Sequence, residues 1–183
     1  MALTRPYTLP LSALIVLAVA LAAPAGATAG CANAAASPSS VSSKDAVRTT
    51  VCLVNRERSS RGLRGVRLNR RLSKGAARYA RDMVRRDYFS HVSPSGSTFL
   101  QRIKRTGYLS RARAWTTGEN LAWGLGARAT PRSIVQSWMK SPGHRANILN
   151  GRFREVGIAV VGGAPGRSEN SGATYVNTFG SRR

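Results

Sequence analysis

The two histidines of the chain, His91 and His144, and the carboxylate of Glu119 are the side chains best suited to chemistry. Glu119 is one of only seven acidic residues in a chain with 29 lysines and arginines. Histidine changes charge near neutral pH and is the commonest protein ligand of metals. Two histidines and one carboxylate match an open zinc site, in which water takes the fourth position. The three residues therefore predict a site for zinc or another divalent metal, and would be the catalytic residues if the protein is an enzyme.

Each of these residues also has a purely structural interpretation. His91 falls in a predicted loop, where it could make a hydrogen bond, and His144 follows a glycine at a predicted helix start, where it could cap or pack. Glu119 could pair with one of the many arginines. The three residues are far apart in sequence and form no HExxH motif, so only the fold could bring them together. The residues alone leave both interpretations open.

The elements that position these residues follow from the hydrophobic pattern. The pattern predicts helices at about residues 44–59, 71–86, 98–106 and 131–140, and a helical turn at 144–149. It predicts extended segments at 118–123, 155–161 and 173–179. His91 lies in the loop 87–96 and Glu119 in the first extended segment. Several helices followed by two strands predict an α+β fold, with helices packed on a small antiparallel sheet.

The N-terminal residues predict export. Arg5 precedes an apolar run over residues 13–23 that is too short to span a bilayer, and Ala27-Thr28-Ala29 matches a signal-peptidase site. We therefore predict a signal peptide over residues 1–29 and a secreted, extracellular protein. Thr28-Ala29-Gly30-Cys31 also weakly resembles a lipoprotein box, which would instead leave the protein anchored by a lipid on Cys31.

The rest of the chain divides into a flexible Ser/Ala/Pro-rich leader over residues 30–43 and one domain over residues 44–183. Its two cysteines, Cys31 and Cys52, predict one disulfide in an exported protein. Such a bridge closes a loop of about 20 residues and is worth about 3 kcal/mol in the chain-entropy description. The alternative is a buried free thiol at Cys52 and a reactive or lipidated Cys31.

The formal net charge of +22 predicts attraction to polyanions. Anionic lipid head groups, acidic cell-envelope polymers and nucleic acids all fit this charge. The charge is spread along the whole chain, and no helix-turn-helix, zinc-finger or aromatic RNA-binding motif is present. The sequence therefore indicates no specific nucleic-acid partner, and it does not indicate the oligomeric state.

Short motifs along nearly the whole domain resemble one known family. Three of them contain the candidate site residues: Tyr88-Phe89-Ser90-His91, Gly118-Glu119-Asn120-Leu121-Ala122, and Trp138-Met139 followed by Ser141-Pro142-Gly143-His144-Arg145. Others are Asn147-Ile148-Leu149, Glu155-Val156-Gly157 and Tyr175-Val176-Asn177-Thr178-Phe179-Gly180. In this order they resemble the CAP superfamily of cysteine-rich secretory, antigen 5 and pathogenesis-related class 1 proteins, in its bacterial secreted branch with a single SCP-like domain.

The resemblance implies an α-β-α sandwich with a central cleft. Animal and plant members line that cleft with two histidines and two glutamates, and some bind a divalent metal there. His91, Glu119 and His144 match three of these positions. The second glutamate has no counterpart, because Lys140-Ser141 stands where it is expected. Glu155 is acidic but matches a different position beside a strand. The resemblance therefore implies at most a three-residue site.

Three functions compete at this point. The leading hypothesis is a secreted, non-catalytic module whose His/Glu cleft binds a divalent metal or a small or lipid ligand, since some members of the family bind sterols or fatty acids. The second is a metal-dependent, protease-like hydrolase with Glu119 as general base. The third is an electrostatic binder of anionic envelope polymers. The sequence contains no nucleophile-elbow motif, which favours binding over catalysis.

Overall fold

The computed structural model describes residues 30–167 and 172–183, so the predicted signal peptide over residues 1–29 lies outside the described residues. The helices are α1 (Ser43–Ser59), α2 (Arg70–Arg85), α3 (Phe99–Arg105), α4 (Pro131–Lys140) and α5 (Pro142–Ile148). The strands are β1 (Arg67–Leu68), β2 (Trp115–Leu125), β3 (Glu155–Gly162) and β4 (Gly172–Arg182), and a short 3-10 turn spans Gly126–Ala129. None of the helices in these residues is long and apolar enough to cross a membrane.

The strands form one sheet in the order β1-β3-β4-β2. β4 pairs antiparallel with both β2 and β3, so Asn177 lies opposite Asn120 on one side and Ile158 on the other. The sheet is mixed, because the two-residue β1 pairs parallel with the start of β3. The small antiparallel sheet that the sequence predicted is therefore formed by the three long strands, and β1, which the sequence did not predict, adds one parallel pair at its edge.

Helices cover both faces of the sheet. Val156, Ile158 and Val160 of β3 pack in one cluster with residues of α1, α4 and α5. Ala159, which alternates with them along the strand, packs with α2 in a second cluster, and α3 packs on α2 through a third. This alternation follows from the two-residue period of a strand. The result is the α-β-α sandwich that the family resemblance implied and the α+β class that the hydrophobic pattern predicted.

Local capping explains where the helices begin. The Thr98 hydroxyl accepts from the Gln101 backbone, and the Gln101 side chain accepts from the Thr98 backbone, which is a capping box at the start of α3. Thr130 caps α4 and Pro131 occupies its first position, which is where the hydrophobic pattern predicted this helix to begin. One difference is that α5 begins at Pro142, two residues before the helical turn that the sequence predicted at 144–149.

Close backbone approach requires glycine where α2 lies against β3. A Cβ on Gly157 would lie 2.2 Å from the backbone carbon of Leu72. No side chain can be accommodated at that distance unless the helix moves away from the sheet. Gly157 therefore sets the separation between α2 and the sheet.

The predicted disulfide between Cys31 and Cys52 is present. The alternative with free or lipidated thiols is therefore wrong for the described residues, because the Cys31 sulfur is bonded to Cys52. Two further bonds attach the leader to the domain. The Thr49 hydroxyl donates to the Ala32 carbonyl at 2.7 Å, and the Arg132 N–H donates to the Ala34 carbonyl at 2.9 Å. The start of the leader is thus held against α1 and α4.

Candidate functional site

Glu119 is the buried centre of the candidate site. It lies on β2 opposite Thr178 of β4, and its side chain is only 3 % exposed. A carboxylate buried to this degree needs partners for its charge. Two side chains supply them, His91 and Arg102.

Arg102, on α3, binds Glu119 through both carboxylate oxygens. Its Nη2 donates to Oε1 at 2.8 Å and to Oε2 at 2.9 Å. Its Nη1 donates to the carbonyls of His91 and Ser97, each at 2.9 Å. The central carbon of its guanidinium lies over the Tyr79 ring, 3.3 Å from the ring centroid. Charge-assisted hydrogen bonds of this kind are stronger than hydrogen bonds between neutral groups. Arg102 therefore fixes both the carboxylate and the loop that carries His91.

His91 lies on the rim of the site. Its Nδ1 is 2.9 Å from Glu119 Oε1, and its side chain is 54 % exposed. An ionised carboxylate only accepts hydrogen bonds, so the contact assigns the proton of a neutral His91 ring to Nδ1. Nε2 is then left as an acceptor on a solvent-exposed ring. The Tyr79 hydroxyl donates to the carbonyl of neighbouring Ser90, which adds a second anchor for the loop.

His144, on α5, is close enough to His91 for the two rings to interact electrostatically. Burial lowers the pKa of His144, and the charge of His91 lowers that pKa further. The backbone of α5 is tied to β2, because Asn120 Nδ2 donates to the His144 carbonyl at 3.0 Å. Asn147 Nδ2 donates to the Glu119 carbonyl at 3.2 Å. A Cβ on Gly118 would lie 2.7 Å from Asn147 Oδ1, so a larger residue there would displace the Asn147 side chain.

The structure thus brings His91 and Glu119 into direct contact, and it places the His144 ring within electrostatic range of His91. Glu155 lies elsewhere, where it accepts from Asn69 and Tyr108. Sequence reasoning missed Arg102, and among 29 cationic residues no sequence signal distinguishes it. It did, however, name an arginine pair as the structural alternative for Glu119.

The three predicted metal ligands fit a metal poorly. Arg102 engages both oxygens of Glu119, and a cation at the carboxylate would have to displace a guanidinium or lie beside it. Within residues 30–167 and 172–183, no group of three or more His, Cys, Asp or Glu side chains is arranged to hold a metal ion. The chemistry of the site is therefore that of an Arg–Glu–His chain with a second imidazole nearby.

The lowered pKa of His144 gives a testable pH dependence. We expect His144 to titrate below the ordinary histidine value of 6.5, and we expect the His91→Ala change to raise its pKa only part of the way. Burial, the larger cause, remains in that variant. The unfolded chain binds the proton more readily, so this group should destabilise the fold as the pH falls from about 7 towards 5. An NMR titration of the His144 imidazole measures its pKa in the wild type and in His91→Ala. A His144 pKa at or above 6.5 in the wild type would contradict the lowered value.

Comparisons with known proteins agree with this architecture. The sequence profile of the cysteine-rich secretory protein family, CAP, matches residues 51–178. The uncharacterized protein YkwD of Bacillus subtilis is 38 % identical over 124 residues, which cover 68 % of this chain and 45 % of YkwD. An uncharacterized membrane protein, YlbC of the same organism, is 29 % identical over 108 residues, which cover 59 % of this chain and 29 % of YlbC. The chain spans less than half the length of either relative.

Solved structures show the same fold. An extracellular protein of Bacillus anthracis that contains an SCP domain superposes with a TM-score of 0.62 at 26 % identity, over 75 % of this chain and 40 % of that one. An outer surface protein of Borrelia burgdorferi superposes with a TM-score of 0.63 at 21 % identity, over 78 % of this chain and 97 % of that one. With the profile covering more than half of its residues, the chain belongs to the cysteine-rich secretory protein (CAP) family and has the bacterial SCP-type domain.

Proposed function

We propose that this protein is a non-catalytic binding module of the cell exterior, whose cleft binds a small ligand through His91 and His144. One observation carries the proposal. Glu119 holds Nδ1 of His91 and is itself held by Arg102, so the exposed His91 ring offers Nε2 as a fixed acceptor. Such an acceptor suits a ligand that donates from a hydroxyl or an amide N–H.

The electrostatics of the cleft also favour a neutral ligand over a metal. The charge of Glu119 is matched by that of Arg102, and the lowered pKa of His144 keeps its ring neutral at pH 7. A divalent cation would be repelled by the positive charge of Arg102, which already binds the carboxylate. Hydroxyl and amide donors meet no such repulsion.

A hydrolase remains the competing function, because a carboxylate that orients an imidazole is also the arrangement of a general base. Against it, no Ser, Thr or Cys side chain of the described residues hydrogen-bonds to either imidazole. Without a neighbouring nucleophile, the His91–Glu119 pair would have to act as a general base that activates a water molecule for direct hydrolysis. The two functions differ in whether a bound ligand is cleaved.

An extracellular location is supported by two observations. A disulfide forms and persists in oxidising compartments, and Cys31 and Cys52 are bridged. The Bacillus anthracis relative is described as extracellular. Envelope components of bacteria therefore make reasonable test ligands. Muropeptides are suitable because they carry both hydroxyl and amide donors.

NMR of the two imidazoles tests the proposal directly. We expect soluble muropeptides to shift the His91 and His144 resonances, and we expect the shifts to persist in about 0.5 M salt because the contacts with the two rings are hydrogen bonds between uncharged groups. His91→Ala should abolish binding, whereas Arg152→Gln, an exposed change outside the cleft, should leave binding unchanged. Zinc chloride and a fatty acid serve as the competing ligands.

The possible outcomes separate the functions. Stoichiometric shifts with zinc and none with muropeptides would overturn the proposal in favour of a metal site. Shifts with the fatty acid alone would overturn it in favour of lipid binding. Release of cleaved muropeptide by the wild type, lost in His91→Ala, would establish hydrolysis instead.

A further inference from the structure

A cavity of about 480 Å³ lies between α2, α3 and the loop from Ser93 to Ser97, and Arg102 is one of the residues that line it. Its walls are strongly cationic. In the part of the chain that the structure describes, they carry one carboxylate, Asp82, and six arginines: Arg78, Arg81, Arg85, Arg86, Arg102 and Arg105. We call this cavity the arginine groove.

Most of the positive charge in the groove is uncompensated by the described residues. Asp82 is shared by Arg85 at 3.3 Å and Arg86 at 3.7 Å, and it also accepts from the Tyr88 hydroxyl. Arg78 and Arg81 form no side-chain hydrogen bond or ion pair with residues 30–167 or 172–183. A groove with this excess of positive charge attracts an anion.

Hydroxyl groups lie among the guanidinium groups. Ser93, Ser95 and Ser97 line the same cavity. The Ser97 hydroxyl accepts from Arg105 Nη1 at 2.8 Å, which orients that guanidinium on the wall. Ser93 and Ser95 hydroxyls are 3.0 Å apart. Guanidinium and hydroxyl donors together are the groups that proteins use to bind phosphate oxygens.

The cavity also follows from how α2 is packed. Arg78, Arg81 and Arg85 lie on the polar side of α2, and the sequence alone indicates that this side is exposed to solvent. Gly75 lets the end of α3 approach α2 closely, since a Cβ there would lie 2.8 Å from Thr106 Cγ2. The approach converts an exposed helix face into one wall of a groove.

We propose that the arginine groove binds the phosphodiester groups of a polyol phosphate polymer outside the cell. From Arg78 to Arg85 the helix rises about 10 Å, which is more than a single phosphate needs and suits consecutive phosphodiesters. Nucleic acid is the less suitable polyanion. Base stacking requires an open aromatic face, and the Tyr79 ring in the groove is covered by Arg102. The groove adjoins the histidine cleft through Arg102, which lines the groove and binds Glu119, but the proposal does not depend on the ligand of the cleft.

Binding of a synthetic glycerol phosphate oligomer, measured by fluorescence anisotropy between about 50 and 200 mM salt, tests this proposal. The groove variant is Arg78→Gln/Arg81→Gln/Arg105→Gln. The control is Arg64→Gln/Arg132→Gln/Arg152→Gln, which removes the same charge at exposed arginines outside the groove. We expect the groove variant to bind at least about tenfold more weakly and to lower the salt slope by about 2 to 3, and the control to lose less than about threefold.

Several results would overturn the proposal. Equal losses in the two variants would show attraction by net charge alone. Tighter binding to single-stranded DNA of equal charge would indicate nucleic acid, and binding to anionic phospholipid vesicles without binding to the oligomer would indicate a membrane surface. Circular dichroism verifies the fold of each variant. The single change Arg78→Gln, at an exposed side chain, keeps the test decisive if the triple variant does not fold, and it should weaken binding measurably while Arg132→Gln does not.

Discussion

Replacing Arg58 by methionine is expected to lower the free energy of unfolding by about 3–5 kcal/mol, a large share of the stability of a domain of this size. The Arg58 side chain is fully buried. Its guanidinium donates to four backbone carbonyls, those of Arg64, Ile148, Asn150 and Phe153, at 2.7–3.3 Å. Methionine fills a similar volume but leaves all four acceptors without their donor, and buried acceptors without partners are costly.

The position of Arg58 explains why a charge is tolerated there. It lies in the last turn of α1, and one of its acceptors, Ile148, is the last residue of α5, so the C-terminus of α5 directs a carbonyl group at the cation. Burial lowers the pKa of Arg58, and the charge of Arg154 lowers it further. The guanidinium still stays protonated, because its ordinary pKa is far above neutrality. The cation thus joins α1 to the two segments that follow α1 and α5.

Urea unfolding followed by circular dichroism measures the effect. Arg56→Met, an exposed change in the same helical turn, is the matched control and should change stability by less than about 0.5 kcal/mol. Arg58→Lys should fall between the two, because one ammonium has three donors and lacks the planar fork. A loss of less than about 1 kcal/mol for Arg58→Met would show that the carbonyls find other partners.

Arg58 also shows how far local pattern can predict the fold. It falls at helical spacing with Val47, Val51 and Val54, which places it on one face of α1 with the buried Val54. Its acceptors are backbone carbonyls, which have no sequence signature, so the pattern could not indicate what it binds. The predicted bounds of α1 and α2, by contrast, are each correct to within a residue, because helical periodicity is a local property of the sequence.

The parts of the fold that the pattern missed depend on distant partners. β1 has two residues, too few for any periodicity, and it exists because it pairs with β3. β2 extends beyond the predicted 118–123 to Trp115 and Leu125, because β4 continues alongside it at both ends. Pairing of this kind is a tertiary effect that overrides local preference.

In the candidate site, too, the sequence indicated some features, and others depend on tertiary contacts. His91, Glu119 and His144 were selected because of their residue types, and the family resemblance implied that they meet. Their actual chemistry depends on Arg102, which differs from many other arginines only in its tertiary contacts. The choice between a metal site and an arginine pair at Glu119 therefore required coordinates.

The second large effect is expected at this pair. Arg102→Met should lower the free energy of unfolding at pH 7 by about 3–5 kcal/mol, because it leaves a nearly buried carboxylate with His91 as its remaining side-chain partner. The change also removes the bonds to the carbonyls of His91 and Ser97, which hold the loop. Lys104→Met, at an exposed position of the same helix, is the control and should cost less than about 0.5 kcal/mol.

A double-variant cycle with Glu119→Gln separates the charge from the anchoring of the loop. Each single change leaves one charge of the pair buried, whereas Arg102→Met/Glu119→Gln leaves none. We therefore expect the double variant to be more stable than the sum of the single losses predicts, by about 1–3 kcal/mol. Strict additivity in urea unfolding would mean that the carboxylate and guanidinium are coupled no more strongly than an exposed pair. In that case Glu119 would be free to serve a ligand, and the metal hypothesis for the cleft would regain its main requirement.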